Sequence, residues 1–259
     1  MINTKPNMKL SFIRMIGILI SFYSCNNVEM LTFEKQPIAI QDFFDCKNTD
    51  CVLTEILLLR FINETDITKK INHEIEQATS STLHIDEGEP IETIEEAIKS
   101  FNISYQKIKQ EFPEEIVPYE ASIHCDLSFQ NQDILSISID SYIFTGGAHG
   151  NENFKFINLD PETGKVIDSN SLFKDHGKFV SFAEAIFRKT YNIPEDQSIN
   201  STGFFFDNDK FTLPASIGFT DTDVVLFYNS YEISSYADGP VELRLNKKDA
   251  SELFSIQIL

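Results

Sequence analysis

The chain has 259 residues, a hydrophobic fraction of 42% and an aromatic fraction of 12%, enough to bury a substantial core in one domain or two close subdomains. Its formal charge of −19 repels nucleic acid and anionic lipid; it serves either solubility or the attraction of a cationic partner. Phe occurs 23 times and Trp not at all, and many Phe residues fall in alternating runs that suit a sheet-facing core.

Read from the start, Met8 to Arg14 is a basic opening and Met15 to Tyr23 an apolar run too short to remain as a membrane-spanning helix, which predicts a signal peptide over residues 1–24. The run closes on Phe22-Tyr23-Ser24-Cys25, and a small residue before a cysteine at this place resembles the box cut by lipoprotein signal peptidase. Cys25 is then the expected lipidation site, Asn26 and Asn27 begin a polar tether, and more than one acyl chain makes the attachment stable. Removing the leader takes away Lys5, Lys9 and Arg14 and no acid, so the mature chain is more acidic still.

Met30 to Ile40 and Cys51 to Ile62 read as extended segments, the second buried. Between them Cys46 and Cys51 bracket a polar turn and are expected to pair in an oxidising envelope; zinc would need two further ligands at matching spacing, and the sequence offers none. From Asp66 to Ser80 the period becomes helical, with Ile67, Ile71, Ile75 and Ala78 on one face. A second helix runs from Ile91 to Glu111 and stops before Pro113.

Pro118 to Phe129 and Asp133 to Phe144 form an expected hairpin. Cys125 sits in the first as a half-buried strand residue, and the second alternates so that Ser136, Ser138 and Asp140 lie on a wet face. Phe154 to Leu159 is another strand and Asp160 to Lys165 a turn built on Pro161 and Gly164. A helix from Ser181 to Tyr191 follows, then strands at Phe211 to Phe219, Asp223 to Tyr228 and Val241 to Leu245, and a short acidic end. Strands and helices in blocks, without regular alternation, predict an α+β fold: helices packed on a mainly antiparallel sheet, with subdomains at 25–150 and 151–259.

Gly146, Gly147 and Gly150 surround His149 in a turn where backbone N–H groups can approach a ligand. Three roles are open to it: a structural turn, a ligand-contact loop, or a general base. The base would need an orienting carboxylate and a nucleophile, and there is no Gly-x-Ser-x-Gly elbow, His-Glu-x-x-His or P-loop to supply them. Asp207-Asn208-Asp209 and Asp221-Thr222-Asp223 lack the glycine and closing glutamate of a calcium loop and read as solvated turns. Tyr228, Tyr231 and Tyr236, near Gly239-Pro240, line a groove for sugar or protein or bridge core and surface.

Tyr142 to Asn151, taken with Phe156 to Asp160, Thr163-Gly164-Lys165, Ser171-Leu172-Phe173, Leu226 to Ile233 and Tyr236 to Pro240, resembles the RsiV/PdaC-like extracytoplasmic domain shared by a lysozyme-sensing anti-sigma factor and the N-terminal part of a peptidoglycan deacetylase. The Lys70-Ile71-Asn72 helix resembles the subdomain that precedes it there. The resemblance implies helices on an antiparallel sheet, an envelope location and, in the best-understood member, direct binding of lysozyme. No deacetylase domain is read after Leu259 and no cytoplasmic segment before a membrane span, so the sensing or binding half alone is expected.

The function expected is therefore a non-catalytic binding lipoprotein of the outer membrane facing the periplasm, without cofactor, metal or catalytic residue. Its partner is lysozyme or another cationic protein, or a cell-wall glycan. The membrane is reached through the lipid anchor only, and nucleic acid is not a partner. Ligand contact is expected at Gly146, Gly147, His149, Gly150, Tyr228 and Tyr236. The alternative is an envelope hydrolase of cell-wall glycan with His149 as base, and a structural lipoprotein remains as a third reading.

Overall fold

The computed structural model describes residues 30–47, 50–85, 91–114 and 117–259; the expected leader and Cys25 lie outside the described residues. Two sheets and the helices that cover them give an α+β fold, as the block arrangement of elements implied. Five strands, β1 (Phe33–Ile38), β2 (Leu53–Phe61), β3 (Glu120–Gln130), β4 (Leu135–Phe144) and β5 (Asn151–Leu159), lie in that order in the first sheet. All neighbours are antiparallel except β2 and β3. A parallel pair needs a long crossover, and α1 (Asp66–Ser80) with α2 (Ile94–Glu111) supplies it.

Both helices start at a threonine, Thr65 and Thr93, whose hydroxyl accepts the N–H three residues on. Their apolar stripes, Ile71 and Ile75 in α1 and Ala97, Ile98, Phe101 and Tyr105 in α2, bury against Ile56, Ile123, Ile137 and Ile139 of the sheet. Two asparagines fix the helices to strand backbone. Asn72 accepts the Phe61 N–H and donates to the Phe61 carbonyl, both at 2.8 Å. Asn102, buried, accepts the Val52 N–H at 3.1 Å.

The first sheet runs past residue 150, the expected subdomain boundary, because β5 pairs with β4 from Asn151 to Leu159. The second sheet is β6 (Ser216–Phe219), β7 (Asp223–Tyr228) and β8 (Val241–Asn246), all antiparallel. Helix α3 (His176–Thr190) covers it, burying Phe179, Ala183 and Phe187 among Phe206, Phe211, Phe219 and Phe254. It begins five residues before the expected Ser181, because the Asp175 carboxylate caps the Lys178 N–H and brings Phe179 into the core. The strand expected from Phe211 pairs only from Ser216, and the short acidic end after β8 begins with a short helix α4 (Lys247–Ala250), capped by Asn246.

The sheets meet through side chains, with β6 against β5 and β4. The Ser216 hydroxyl accepts the Phe156 N–H at 3.0 Å, Asn158 donates to the Ile217 carbonyl at 2.7 Å, and the Phe156 ring covers Gly218. Ser136, expected on the wet face of β4, is fully buried here; its hydroxyl accepts the Phe219 N–H at 3.0 Å. A small hydroxyl in an alternating strand serves a partner's backbone as well as it serves water.

Candidate functional site

The turn after β4 is built as its glycines require. Gly146 and Gly147 have φ of +97° and +91°, and Gly150 is buried under Tyr142, whose ring occupies the place of a side chain there. This holds His149 outward. Its Nδ1–H donates to the Gly150 carbonyl at 2.9 Å, which leaves Nε2 as an acceptor.

A loop from the second sheet meets it. The Tyr236 ring lies 4.2 Å from the His149 ring with an interplanar angle of 19°, and Tyr231 continues the stack, 5.8 Å from Tyr236 at 25°. Tyr231 is 63% exposed and sits at φ +72°, a left-handed conformation uncommon for a bulky residue. The loop around it is closed by its own bonds: Tyr231 N–H to the Ser234 carbonyl, Glu232 N–H to the Asn229 carbonyl, and Ser234 Oγ–H to the Gly239 carbonyl. Strain at an exposed aromatic, held by a bonded loop, is a feature of sites that present a side chain.

Asn229 joins the two sheets at this point. Its Oδ1 accepts the Phe154 N–H at 2.7 Å, and its Nδ2 donates to the Phe154 carbonyl at 3.0 Å and to Glu232 at 3.3 Å. One residue therefore ties the tyrosine loop to β5, the strand that begins just after His149.

Tyr228 does not join the stack. It is 1% exposed, packs against Phe187 and Phe206 in the second core, and donates its hydroxyl to the Thr212 carbonyl at 2.7 Å, with burial pushing its phenol pKa up. The alternation of Val224, Leu226 and Tyr228 along β7, all buried, puts it on the core face, and that signal lies in the sequence. Tyr231 takes its place at the surface.

The remaining cysteines and acids have structural surroundings. Cys46 and Cys51 form a disulfide, with Cα atoms 5.7 Å apart. Cys125, expected half-buried, is fully buried beside the Thr79 hydroxyl at 3.2 Å, and burial raises its thiol pKa. Asp209 accepts from Ser198 and Asn200. Among the described residues no group of three or more His, Cys, Asp or Glu is placed to hold a metal ion. A cleft of about 440 Å³ lined by Glu74, Gln77, His84, Ile91 and Val166 lies over the C-terminal end of α1, away from the stack.

Residues 46–152 match the family model described as Deacetylase PdaC, and residues 170–248 match the one described as a protein of unknown function, DUF3298. The chain thus pairs a PdaC-type segment with a DUF3298-type one, consistent with a PdaC/RsiV-like domain family. The resemblance drawn from the sequence motifs is thereby met. The PdaC match marks a domain type of the extracytoplasmic cell envelope. In this PdaC/RsiV-like chain the stack is a joint product, with His149 from the PdaC segment and Tyr231 and Tyr236 from the DUF3298 segment.

No curated protein sequence matches the chain. The crystal structure of a DUF3298 family member from Bacteroides fragilis has the same fold, with a TM-score of 0.65 and 15% identity over 87% of this chain and 94% of that one. A DUF3298 family protein from Pseudomonas aeruginosa gives a TM-score of 0.58 and 18% identity over 87% and 94%. No helix among the described residues is long and apolar enough to cross a membrane.

Proposed function

We propose that the chain is a non-catalytic binding module of the cell envelope, held to the outer membrane by acylation of Cys25, that engages a cationic protein of the lysozyme type through the His149–Tyr236–Tyr231 stack. The observation that carries this reading is the stack itself: three aromatic rings in succession, two of them on a strained, self-bonded loop, at the seam of the two matched segments. Tyrosine faces attract guanidinium and ammonium groups, and tyrosine is enriched among residues that dominate protein interfaces. The net charge of −19 favours a basic protein over an anionic polymer.

The hydrolase alternative gains little from the geometry. A general base needs a nucleophile or a bound water to activate, and the contacts of the His149 ring are to the Gly150 carbonyl and the Tyr236 ring.

Retention of the protein on immobilised lysozyme at low and moderate salt tests the reading. Retention is expected at low salt and weaker at moderate salt, and Tyr231→Ala is expected to weaken it by about thirtyfold, the size of an interface hot spot. No retention at either salt removes the lysozyme branch; retention on peptidoglycan instead moves the site to a glycan. Cleavage of peptidoglycan fragments that is lost in His149→Ala would replace the binding reading with the hydrolase.

A further inference from the structure

Strand directions give the first sheet two distinct ends. One holds the start of β1, the end of β2 and the start of α1, since Phe33 pairs with Phe61 and the Ile62 N–H donates to the Thr32 carbonyl. The other holds the starts of β2 and β3 and the turn of His149, since Leu53 pairs with Glu120, Glu120 with Phe144, and Ile143 with Asn151. The chain enters the fold at the first end, where Leu31 packs on the first core. The candidate site is therefore at the end opposite the point of entry.

From the geometry we infer that the β1–β2–α1 end is a membrane-contact surface, with Met30, Phe33, Ile62 and Ile67 resting on the lipid interface and the aromatic stack held away from it. This rests on the proposed acylation of Cys25 and adds the orientation that acylation enforces. Met30 is five chain steps after Cys25, and a fully extended chain covers at most about 17 Å over that distance. The nine residues of β2 extend about 27 Å between the two ends. The anchor is too short to let the far end face the bilayer while the near end points away.

Exposed apolar side chains alone do not choose the end. Phe112, Val117 and Leu53 are exposed near the far one, as Met30 (58%) and Ile62 (51%) are at the near one. The tether makes the choice, and local charge agrees with it. In a strongly acidic chain that anionic lipid would repel, the cleft at the near end is lined by Arg60 and Lys69 as well as Glu34 and Glu64. Apolar side chains beside a balanced set of charges suit a zwitterionic headgroup layer.

The absence of Trp from the sequence makes one introduced Trp an unambiguous reporter. Phe33→Trp and Phe112→Trp are both aromatic replacements at exposed sites, on the near and far ends respectively. Each full-length lipoprotein is reconstituted in phosphatidylcholine vesicles doped with a headgroup-nitroxide lipid, after the mass of the amino-terminal peptide has established acylation. Phe33→Trp emission is expected to shift to the blue and be quenched, and Phe112→Trp emission to do neither; Ile62→Trp serves as a second near-end reporter if Phe33→Trp fails to fold. An acylated protein whose near-end reporters are unquenched, or whose two ends are quenched alike, overturns the orientation and leaves the anchor standing. An unmodified Cys25 overturns both.

Discussion

Gly150 shows how much of the candidate site is set by a single atom's absence. A side chain there would overlap the Tyr142 ring, so Gly150→Ala forces either the ring or the turn to move. Overpacking of this kind costs about 1–3 kcal/mol, and a lower denaturant midpoint at unchanged slope is the expected result. Tyr142→Leu in the same chain should recover part of the loss, because it removes the ring that the new methyl meets. The glycine turn and His149 were legible in the sequence, since clustered glycines announce a backbone that other residues cannot adopt. The direction of each tyrosine was less so. Tyr228 and Tyr231 are three positions apart, yet one lies in a phenylalanine core and the other in solvent, because the strand's alternation stops at Tyr228 and the loop that follows sets its own geometry.

Among the elements, α1, α2, β3 and β4 were read close to their observed limits because their apolar periods are long and unbroken. The division into two sheets was not legible. The residues that join them, Ser136, Asn158, Ser216 and Asn229, are small polar groups that a pattern reading assigns to water. Asn72 and Asn229 use one device, a side-chain amide that both accepts from and donates to a single strand residue. The Cys46–Cys51 bond braces the connection from β1 to β2 at the same end as the His149 turn. Closing so short a loop limits the entropy it can remove, so replacing both cysteines with serine is expected to cost about 2 kcal/mol. Thermal denaturation of the double variant measures this, and the far-UV spectrum should be unchanged.

For the molecule as a whole, Lys247 provides a handle on how stability responds to pH. It is fully buried between the two sheets, its ammonium 3.0 Å from the centre of the Phe129 ring and 5.9 Å from that of Phe219. Burial lowers its pKa from 10.5 to about 8, against the opposing pull of Asp221 and Asp223. Between about pH 8 and 10.5 the unfolded chain therefore holds a proton that the native one has released, and stability from this group rises with pH across that window. The rise is at most about 3 kcal/mol, less whatever the two rings return to the cation. Lys247→Met should flatten that part of the stability curve, as read by urea midpoints at successive pH values.

The side chains that close the seam also govern how anchored copies would behave as neighbours. β5 is an edge strand of the first sheet, and outward backbone groups on such a strand are a template for a foreign chain. Asn229 occupies both groups of Phe154, and Ser216 takes the N–H of Phe156. On the opposite edge β1 carries Pro37, which has no N–H to offer an incoming strand. Acylated molecules confined to a surface collide far more often than free ones, and a sheet sealed along one border and interrupted along the other lets them crowd without zipping together.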